Sequence, residues 1–594
     1  MALAALDARS AARRLVRRAG PAAVAAAVPL LIFGRAVKFG YVQADDTDLV
    51  RDNQPALSAP GIFREAFSRS YFEAGGRPDT TRTYYRPLVI VSLALDASAA
   101  GADPAVYHAT TVLLHAVVVS LLFAALRTLG ASATTAVMLA AVFGVHPAAV
   151  PVACWILGRN DSLLAAFVLG SLLAFERWRR RNSRPALAGH LGLFAAALFT
   201  KETAVVFAPL ALLRTYLAAE RESGGISGEA AANSGRSPSH RAGVVTTGRR
   251  RAAARDRLPD ARAQRANTRE RLSRIGQLVA GYAPIVLIWF VLRHRALPGG
   301  AGHEEAPPVT GTVLANLPDL LVYLSTAVFP VRPSVMPGPD RLHGGLGVAG
   351  GLLLVWIVGR ARDRRLASFG AAWFAAFLAP ALLVPGLPAY AHRLYVPLIG
   401  LAFALAALHD ARDAAARWRW RAVLATATVL FAAISFVHSG AYRDRRAYWA
   451  SATRGTPHAP IAHVNLGRIY EEEGDAARAA AHYHAALALD PVVPGARNNL
   501  GVLAARAGRL AEAQAYFEQE IALYPANADA HFNLGLVHQR AGRLEEAAAS
   551  WERAIAVDPA YAPAYDELAA HYARKGDRDR AEAFATRAAA LRGR

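Results

Sequence analysis

Apolar runs recur from residue 21 to residue 438, and several approach the roughly 20 residues that a helix needs to cross a hydrocarbon core about 30 Å thick. The pattern predicts spans at 21–40, 105–127, 131–147, 161–176, a fifth climbing to Lys201-Glu202, then 203–219, 275–293, 344–359, 366–384, 394–409 and 420–438. A further apolar stretch, 313–330, is broken by Pro318 and Pro330. If it crossed, Arg360, Arg362, Arg364 and Arg365 would lie outside, whereas an interfacial helix on the outer face keeps them inside, where loop cations belong. The interfacial reading is adopted, giving eleven crossings. Residues 1–20, with Arg13, Arg14, Arg17 and Arg18, then form a cytoplasmic N-terminus before an uncleaved first span. An odd count puts the C-terminus outside, in the same compartment as the long polar loop 41–104.

Two segments break this rhythm. Residues 220–274 are rich in Gly, Ser, Ala and Arg without apolar periodicity, which predicts a disordered, Arg-rich cytoplasmic loop. Residues 439–459 read as a linker. From 460 to 594 the spacing changes, because Leu466-Gly467, Leu500-Gly501, Leu534-Gly535 and Leu568-Ala569 recur every 34 positions, as do Ala479, Ala513, Ala547 and Ala581, and Pro491, Pro525 and Pro559. That period identifies about four tetratricopeptide repeats (TPRs), each a pair of helices that approach at the small residues and are filled by Tyr483, Phe517 or Trp551. The fold class is therefore all-α, a polytopic transmembrane helical domain over 21–438 followed by a C-terminal TPR α-solenoid.

Composition narrows the picture. Of 594 residues 54% are hydrophobic, and the net charge is +22. Because that surplus is concentrated in loops between apolar spans, it reads as membrane topology rather than nucleic-acid binding. Cys154 is the single cysteine, which excludes an intrachain disulfide framework and any multi-Cys metal site. Lysine occurs only at 38, 201 and 575, so Lys201 at a membrane edge stands out.

Candidate chemistry collects near one membrane face. Asp45-Asp46 directly follows the first span, where a carboxylate can serve as general base, although acidic pairs in loops are commonly plain solvated caps. Lys201-Glu202 lies in a tight turn between apolar spans, where an ammonium needs a partner such as a lipid phosphate or simply its neighbouring Glu. His146, Arg159 and Asp161 bracket one short external turn, and Arg393 and Tyr395 begin a later span from the same side. Converging cations can hold a phosphate or pyrophosphate; singly, each also fits a snorkelling interface residue. Metal ligation has no signature here, nor has a Walker loop or a Ser-His-Asp order; His463, His482 and His484 read as ordinary repeat residues. In the repeats, Asn465, Asn499 and Asn533 fall on the helices that line a TPR groove, where they either bond an extended peptide backbone or are routine consensus residues of the repeat.

The order of motifs resembles the transmembrane-and-TPR O-mannosyltransferase family and its bacterial relatives, of the GT-C class. The resemblance rests on the early Asp-Asp, Tyr85-Arg86-Pro87-Leu88 with Ser92 and Leu95-Asp96, His146-Pro147, Gly158-Arg159-Asn160-Asp161-Ser162-Leu163-Leu164, Lys201-Glu202, Arg393-Leu394-Tyr395-Val396-Pro397, and the terminal repeats. It implies inverting transfer of a sugar, mannose in eukaryotic members, from a polyprenyl-phosphate donor to a protein hydroxyl on the non-cytoplasmic side. Asp45 or Asp46 is then the implied base. Lys201, Arg159 and Arg393 are implied to hold the donor phosphate, with Arg86, His146, Asp161, Glu202 and Tyr395 in support. Pro151 stands where the family usually has Glu, and Ala391-His392 precede Arg393 where an acidic residue is common.

The leading reading is thus a membrane glycosyltransferase, in a bacterial inner membrane with periplasmic repeats that bind the protein acceptor. Its donor is a lipid-linked sugar, and neither a metal nor another cofactor is specified. The competing reading is a non-catalytic membrane anchor for a TPR scaffold in envelope assembly. A transporter fits less well, because the charged residues gather at one face rather than at mid-membrane.

Overall fold

A computed structural model of the chain describes residues 20–42, 46–74, 84–218, 261–297, 309–336, 341–384, 389–408 and 414–592. Asp45 and residues 220–260 of the segment expected to be disordered lie outside them. The described residues are helical throughout, with no strand among them, and divide into two compact units, Met1–Asp444 and Arg445–Arg594.

In the first unit the helices are α1 (Gly20–Lys38), α2 (Pro87–Ala100), α3 (Pro104–Thr128), α4 (Ala133–Gly144), α5 (Arg159–Arg181), α6 (Arg184–Thr200), α7 (Ala261–Ala296), α8 (Leu317–Val328), α9 (Arg341–Arg360), α10 (Arg364–Leu382), α11 (Tyr395–Leu408) and α12 (Ala414–Ser439). Among the described residues eight helices are long and apolar enough to cross a membrane, or nine if α4 and the Pro147–Cys154 helix, bent by 57°, form one broken span. The unit is that of an integral membrane protein. The expected eleven crossings included α6, which at 17 residues falls just short of that length, and the helix at 207–218, also too short. These two neighbours are consecutive, so counting both or neither leaves the parity of the crossings unchanged.

Other expectations change more. Residues 41–104 are not simply a polar loop. Short helices between 47 and 74 bury Leu49, Val50, Leu57, Ile62 and Tyr71 against Val89, Ile90 and Leu93 of α2, because the run Leu88–Leu95 supplies an apolar face. Helix α2, 14 residues long, reaches only about 21 Å at 1.5 Å per residue. Helix α7 begins at Ala261, so 261–274 is helical rather than disordered; Ala, Arg, Gln and Glu are good helix formers there. Helix α8, within the stretch read as interfacial, is 12 residues long and is too short to cross; it packs along α9, where an added Cβ at Gly347 would lie 2.3 Å from the Leu321 carbonyl.

Inside lipid, helices associate through close packing and polar bonds rather than the hydrophobic effect. At the crossing of α10 and α11, Gly370 and Gly400 face each other, and a Cβ on either would meet the other's carbonyl at 2.5 Å. His115 of α3 bonds the Gly144 carbonyl of α4 at 2.8 Å and the Tyr395 hydroxyl of α11 at 2.6 Å, tying three helices. His190 of α6 likewise joins Ser171 of α5 and Tyr282 of α7. At the arginine-rich end, fully buried Glu176 accepts from Arg179 and Arg214.

The second unit starts with a helix, Arg445–Gly455, where a linker was expected; Tyr448 is buried and Arg445 bonds Glu472 at 2.9 Å, which holds this stretch against the first repeat. Four repeats follow as α13–α14 (Pro460–Glu472, Ala476–Leu489), α15–α16 (Ala496–Arg506, Leu510–Leu523), α17–α18 (Ala528–Arg540, Leu544–Val557) and α19–α20 (Ala562–Arg574, Arg578–Arg592). Gly474, Gly508, Gly542 and Gly576 turn each pair with φ near +80°, a conformation open to glycine. Within a pair, the repeated Gly lies against a buried ring, with Gly467 on Tyr483, Gly501 on Phe517 and Gly535 on Trp551.

Gly535→Ala places a methyl 2.3 Å from Trp551 Nε1, inside a ring that is fully buried. Overpacking of this kind costs about 1–3 kcal/mol. Thermal unfolding followed by circular dichroism should show the repeat transition several degrees lower, and an unchanged midpoint would contradict the packing described.

Candidate functional site

Five of the polar residues singled out in the sequence come together in one cavity of about 290 Å³. Its polar lining is Tyr84, Arg86, Asp161, Lys201, Glu202, Thr203, His392 and Arg393, and its apolar wall includes Phe377, Pro380, Val384 and Val396. Five positions predicted from the sequence, Arg86, Asp161, Lys201, Glu202 and Arg393, therefore share a site although they are spread over some three hundred residues of chain.

Local structure explains their placement. Arg86 is the residue before Pro87, which opens α2, and Asp161 lies in the first turn of α5. Gly158 lets that turn tuck under the preceding helix, since a Cβ there would meet the Pro151 carbonyl at 2.3 Å. Lys201 is the extended residue that ends α6, and Glu202 starts the 3-10 turn after it. Arg393 belongs to a second 3-10 turn, Ala391–Leu394, leading into α11.

Two ion pairs organise the floor. Lys201 Nζ donates to Asp161 Oδ1 at 2.7 Å, and Arg86 donates to both carboxylate oxygens of Glu202, at 2.8 and 3.3 Å. Bidentate geometry of this kind is the strong, direction-setting form of the interaction. Burial disfavours the Glu202 charge, but the Arg86 guanidinium outweighs it and holds the carboxyl down to about 2. Arg86 also lies over the Tyr84 ring at 4.3 Å. Arg393 lies over Tyr390 at 5.4 Å and is within electrostatic reach of Asp319 and Tyr323 of α8. Three cations facing two carboxylates leave the cavity lining with a surplus of one positive charge.

Other predicted residues lie elsewhere. Arg159, implied as a phosphate ligand, is fully buried and committed to Asp96 at 2.6 Å, to the carbonyls of Ile156 and Tyr107, and to Ser92. Its guanidinium holds the α2–α3–α5 junction and is not part of the cavity lining. His146 caps the Pro147 turn, accepting from the Ala148 amide at 3.1 Å, and faces a separate apolar cavity beside Phe431. Tyr395 sits behind the cavity, bonded to His115 and within electrostatic reach of Asp161. Asp46 is completely buried at the start of the short helix Thr47–Arg51, accepts from the Val42 amide at 3.4 Å, and is not among the cavity-lining residues. Its neighbour Asp45 lies outside the described residues.

Sequence reasoning passed over His392 and Tyr84 as site residues. His392 was noted only as a departure from a family pattern. It stacks on Tyr390 with ring centroids 5.5 Å apart and contacts Trp155.

In the repeats, Asn533 donates to Asn498 Oδ1 at 3.1 Å and Asn498 donates to Asn499 Oδ1 at 3.3 Å, a ladder joining the second and third repeats. Asn465 instead turns its amide to the Ile461 carbonyl of its own helix. Asn498 was not singled out, because it lies one position off the repeated Asn. His463 and His482 meet at 3.1 Å and Tyr470 stacks on His482; no group of three metal-ligating residues occurs among the described residues.

Comparison with known proteins bears on both units. Residues 432–494, 464–528 and 498–563 match the tetratricopeptide repeat family. The chain carries TPRs. It is also similar to Protein O-mannosyl-transferase TMTC1 of Mus musculus, 28% identical over 160 residues that make up 27% of this chain and 17% of that protein. Protein O-mannosyl-transferase Tmtc1 of Drosophila melanogaster is 34% identical over 121 residues, 20% of this chain and 14% of that one. The chain thus covers less than a fifth of the length of these curated relatives. Among solved structures it is similar to MamA, at 24% identity over 25% of this chain and 87% of that one, with a TM-score of 0.23.

Removing one partner of a buried ion pair strands the other charge, typically at about 3–5 kcal/mol, while removing both recovers much of it. Asp161→Asn should therefore lower the thermal stability of the detergent-solubilised protein well below that of the double variant Asp161→Asn with Lys201→Met. Additive losses would show that the 2.7 Å pair is not coupled.

Proposed function

We propose that the protein is a membrane glycosyltransferase of the GT-C type that moves a sugar from a polyprenyl-phosphate donor to a protein hydroxyl. The cavity described above carries the reading. An anionic head group carried on an apolar tail needs cations held rigidly at the edge of an apolar wall, and Arg86, Lys201 and Arg393 beside Phe377, Val384 and Val396 supply that combination. The two carboxylates hold their cations in place, so a phosphate arriving there meets a preset positive field with little reorganisation. The names of the partial relatives, protein O-mannosyl-transferases, support the same reaction class.

In this reading the donor phosphate is held by Lys201 and Arg393, with the paired Arg86 and Glu202 in support. The TPRs bind the acceptor as an extended polypeptide, its backbone bonded by Asn498, Asn499 and Asn533. The family resemblance assigns the base to Asp45 or Asp46; a buried Asp46 reaches an acceptor only if the short helices around it open.

Purified protein in lipid nanodiscs, given polyprenyl-phosphate mannose and a Ser/Thr-rich peptide, should transfer the sugar. Arg393→Met should lower the rate at least about 100-fold, as loss of one charge-stabilising group does, while leaving the melting temperature of the membrane unit nearly unchanged. Full activity of Arg393→Met would remove the phosphate role. Glycoproteomics of a deletion strain separates this reading from a non-catalytic scaffold, since only a transferase leaves a defined glycan missing. Asn498→Ala with Asn533→Ala should weaken peptide binding to the repeats by about 10-fold, read by fluorescence anisotropy, a loss of about 1.4 kcal/mol.

A further inference from the structure

Resting on the proposal that the repeats bind an extended polypeptide, we infer that this polypeptide is acidic and lays carboxylates along a row formed by Arg506, Arg540 and Arg574. The three arginines recur every 34 residues, and each is the last residue of the first helix of its repeat, in α15, α17 and α19. All three are exposed.

Helix geometry puts them on the face that carries the asparagine ladder. Asn499 precedes Arg506, and Asn533 precedes Arg540, by the same seven positions. That interval is about 20° short of two full turns and about 10 Å along the helix, so each arginine lies almost directly in line with its asparagine. The contacts agree with this placement. Asn533 reaches back to Asn498, Arg540 to the Ala505 carbonyl at 3.1 Å and Arg506 to Glu471 at 3.1 Å, each a step onto the first helix of the preceding repeat. Row and ladder therefore run side by side from one repeat to the next.

Little within the array consumes these charges. Arg540 meets a neutral carbonyl, and Arg574 has no carboxylate within ion-pair distance among the described residues. Arg506 pairs with Glu471, but its side chain is 62% exposed, and an ion pair so open to water is weak enough to be exchanged for a partner's carboxylate. A cation also complements the dipole at a helix C-terminus, yet the dipole alone does not dictate arginine here. In the first repeat the same register holds Glu472, bonded at both carboxylate oxygens by Arg445.

The positive charge is local. Residues 445–594 carry 18 Arg and Lys and 18 Asp and Glu, so the unit lacks the basic balance of a nucleic-acid-binding surface. One guanidinium per repeat, beside amides suited to a peptide backbone, instead fits an extended chain with acidic side chains at intervals, because guanidinium and carboxylate fork into two parallel hydrogen bonds. The attraction centres on the second and third repeats, since in the fourth the ladder position holds Glu567, which accepts from Gln539 at 3.0 Å.

The test uses the full chain in nanodiscs of neutral lipid and two fluorescent peptides, one rich in Ser, Thr and Glu and one with every Glu replaced by Gln, followed by anisotropy. The acidic peptide should bind about 10-fold more tightly or better at low salt, and the preference should vanish near about 1 M salt, where screening leaves a reach of about 3 Å. The triple variant Arg506→Gln, Arg540→Gln, Arg574→Gln should lose the preference while still binding the Gln peptide as the unaltered chain does, which also shows that the array is folded. Charge reversal, Arg506→Glu, Arg540→Glu, Arg574→Glu, should favour a Lys-substituted peptide, an outcome that the cations elsewhere in the chain do not produce. Equal binding of the two peptides by the unaltered chain, or an undiminished preference in the triple variant, overturns the inference and leaves the polypeptide-binding role of the repeats standing. Binding of neither peptide overturns that role along with it. Sugar transfer enters none of these measurements, so a failure of the transferase reading is seen separately.

Discussion

A charge at the edge of a hydrocarbon layer persists only where a partner offsets its lost hydration, and this constraint organises the membrane unit. Lys201 and Arg86 end up beside each other because Asp161 and Glu202 come from different helices and each demands a cation. The pairs therefore set the ends of α2, α5 and α6 relative to one another. The same rule acts at the opposite, arginine-rich end of these helices, where Glu176 gathers Arg179 and Arg214, and in the interior, where His115 and His190 knit helices through hydrogen bonds. Between these polar ties, packing is set by backbone approach, most closely where Gly370 meets Gly400.

The sequence revealed more of the site than of the path to it. Arg86, Asp161, Lys201, Glu202 and Arg393 were legible because a charge beside an apolar run is conspicuous, and the structure draws all five into one cavity. Arg159 drew notice for the same reason. It has the composition of an anion ligand, but Asp96, far away in sequence, claims it, and no local pattern reports such a pairing. His392 went unsingled because one His in an apolar context ordinarily packs, and only the folding of its turn beside Trp155 and Tyr390 brings it into the cavity lining.

In the fold, long periodic signals translated well and short ones did not. The 34-residue period yields four helix pairs with glycine turns where the small residues recur. The early segment was misjudged because its helices, such as Ile62–Ser68, are too short to show periodicity, so their shared core with α2 emerges only in three dimensions. Two of the eleven expected spans fall on helices shorter than the rest, because hydropathy scores a 12-residue apolar helix much like half of a longer one, whereas length bears on whether it can traverse.

Each repeat packs chiefly within itself, Gly against its own pair's ring, and beyond that against its neighbours in the array, and stacking of that kind is additive along the chain. Such an array changes length by whole units. A duplicated or deleted 34-residue segment would extend or shorten the surface available to a polypeptide while leaving the cavity residues untouched. In the transferase proposed above, reach and chemistry would thus be separately adjustable in one chain, so that selection on which polypeptides are captured need not disturb the cavity.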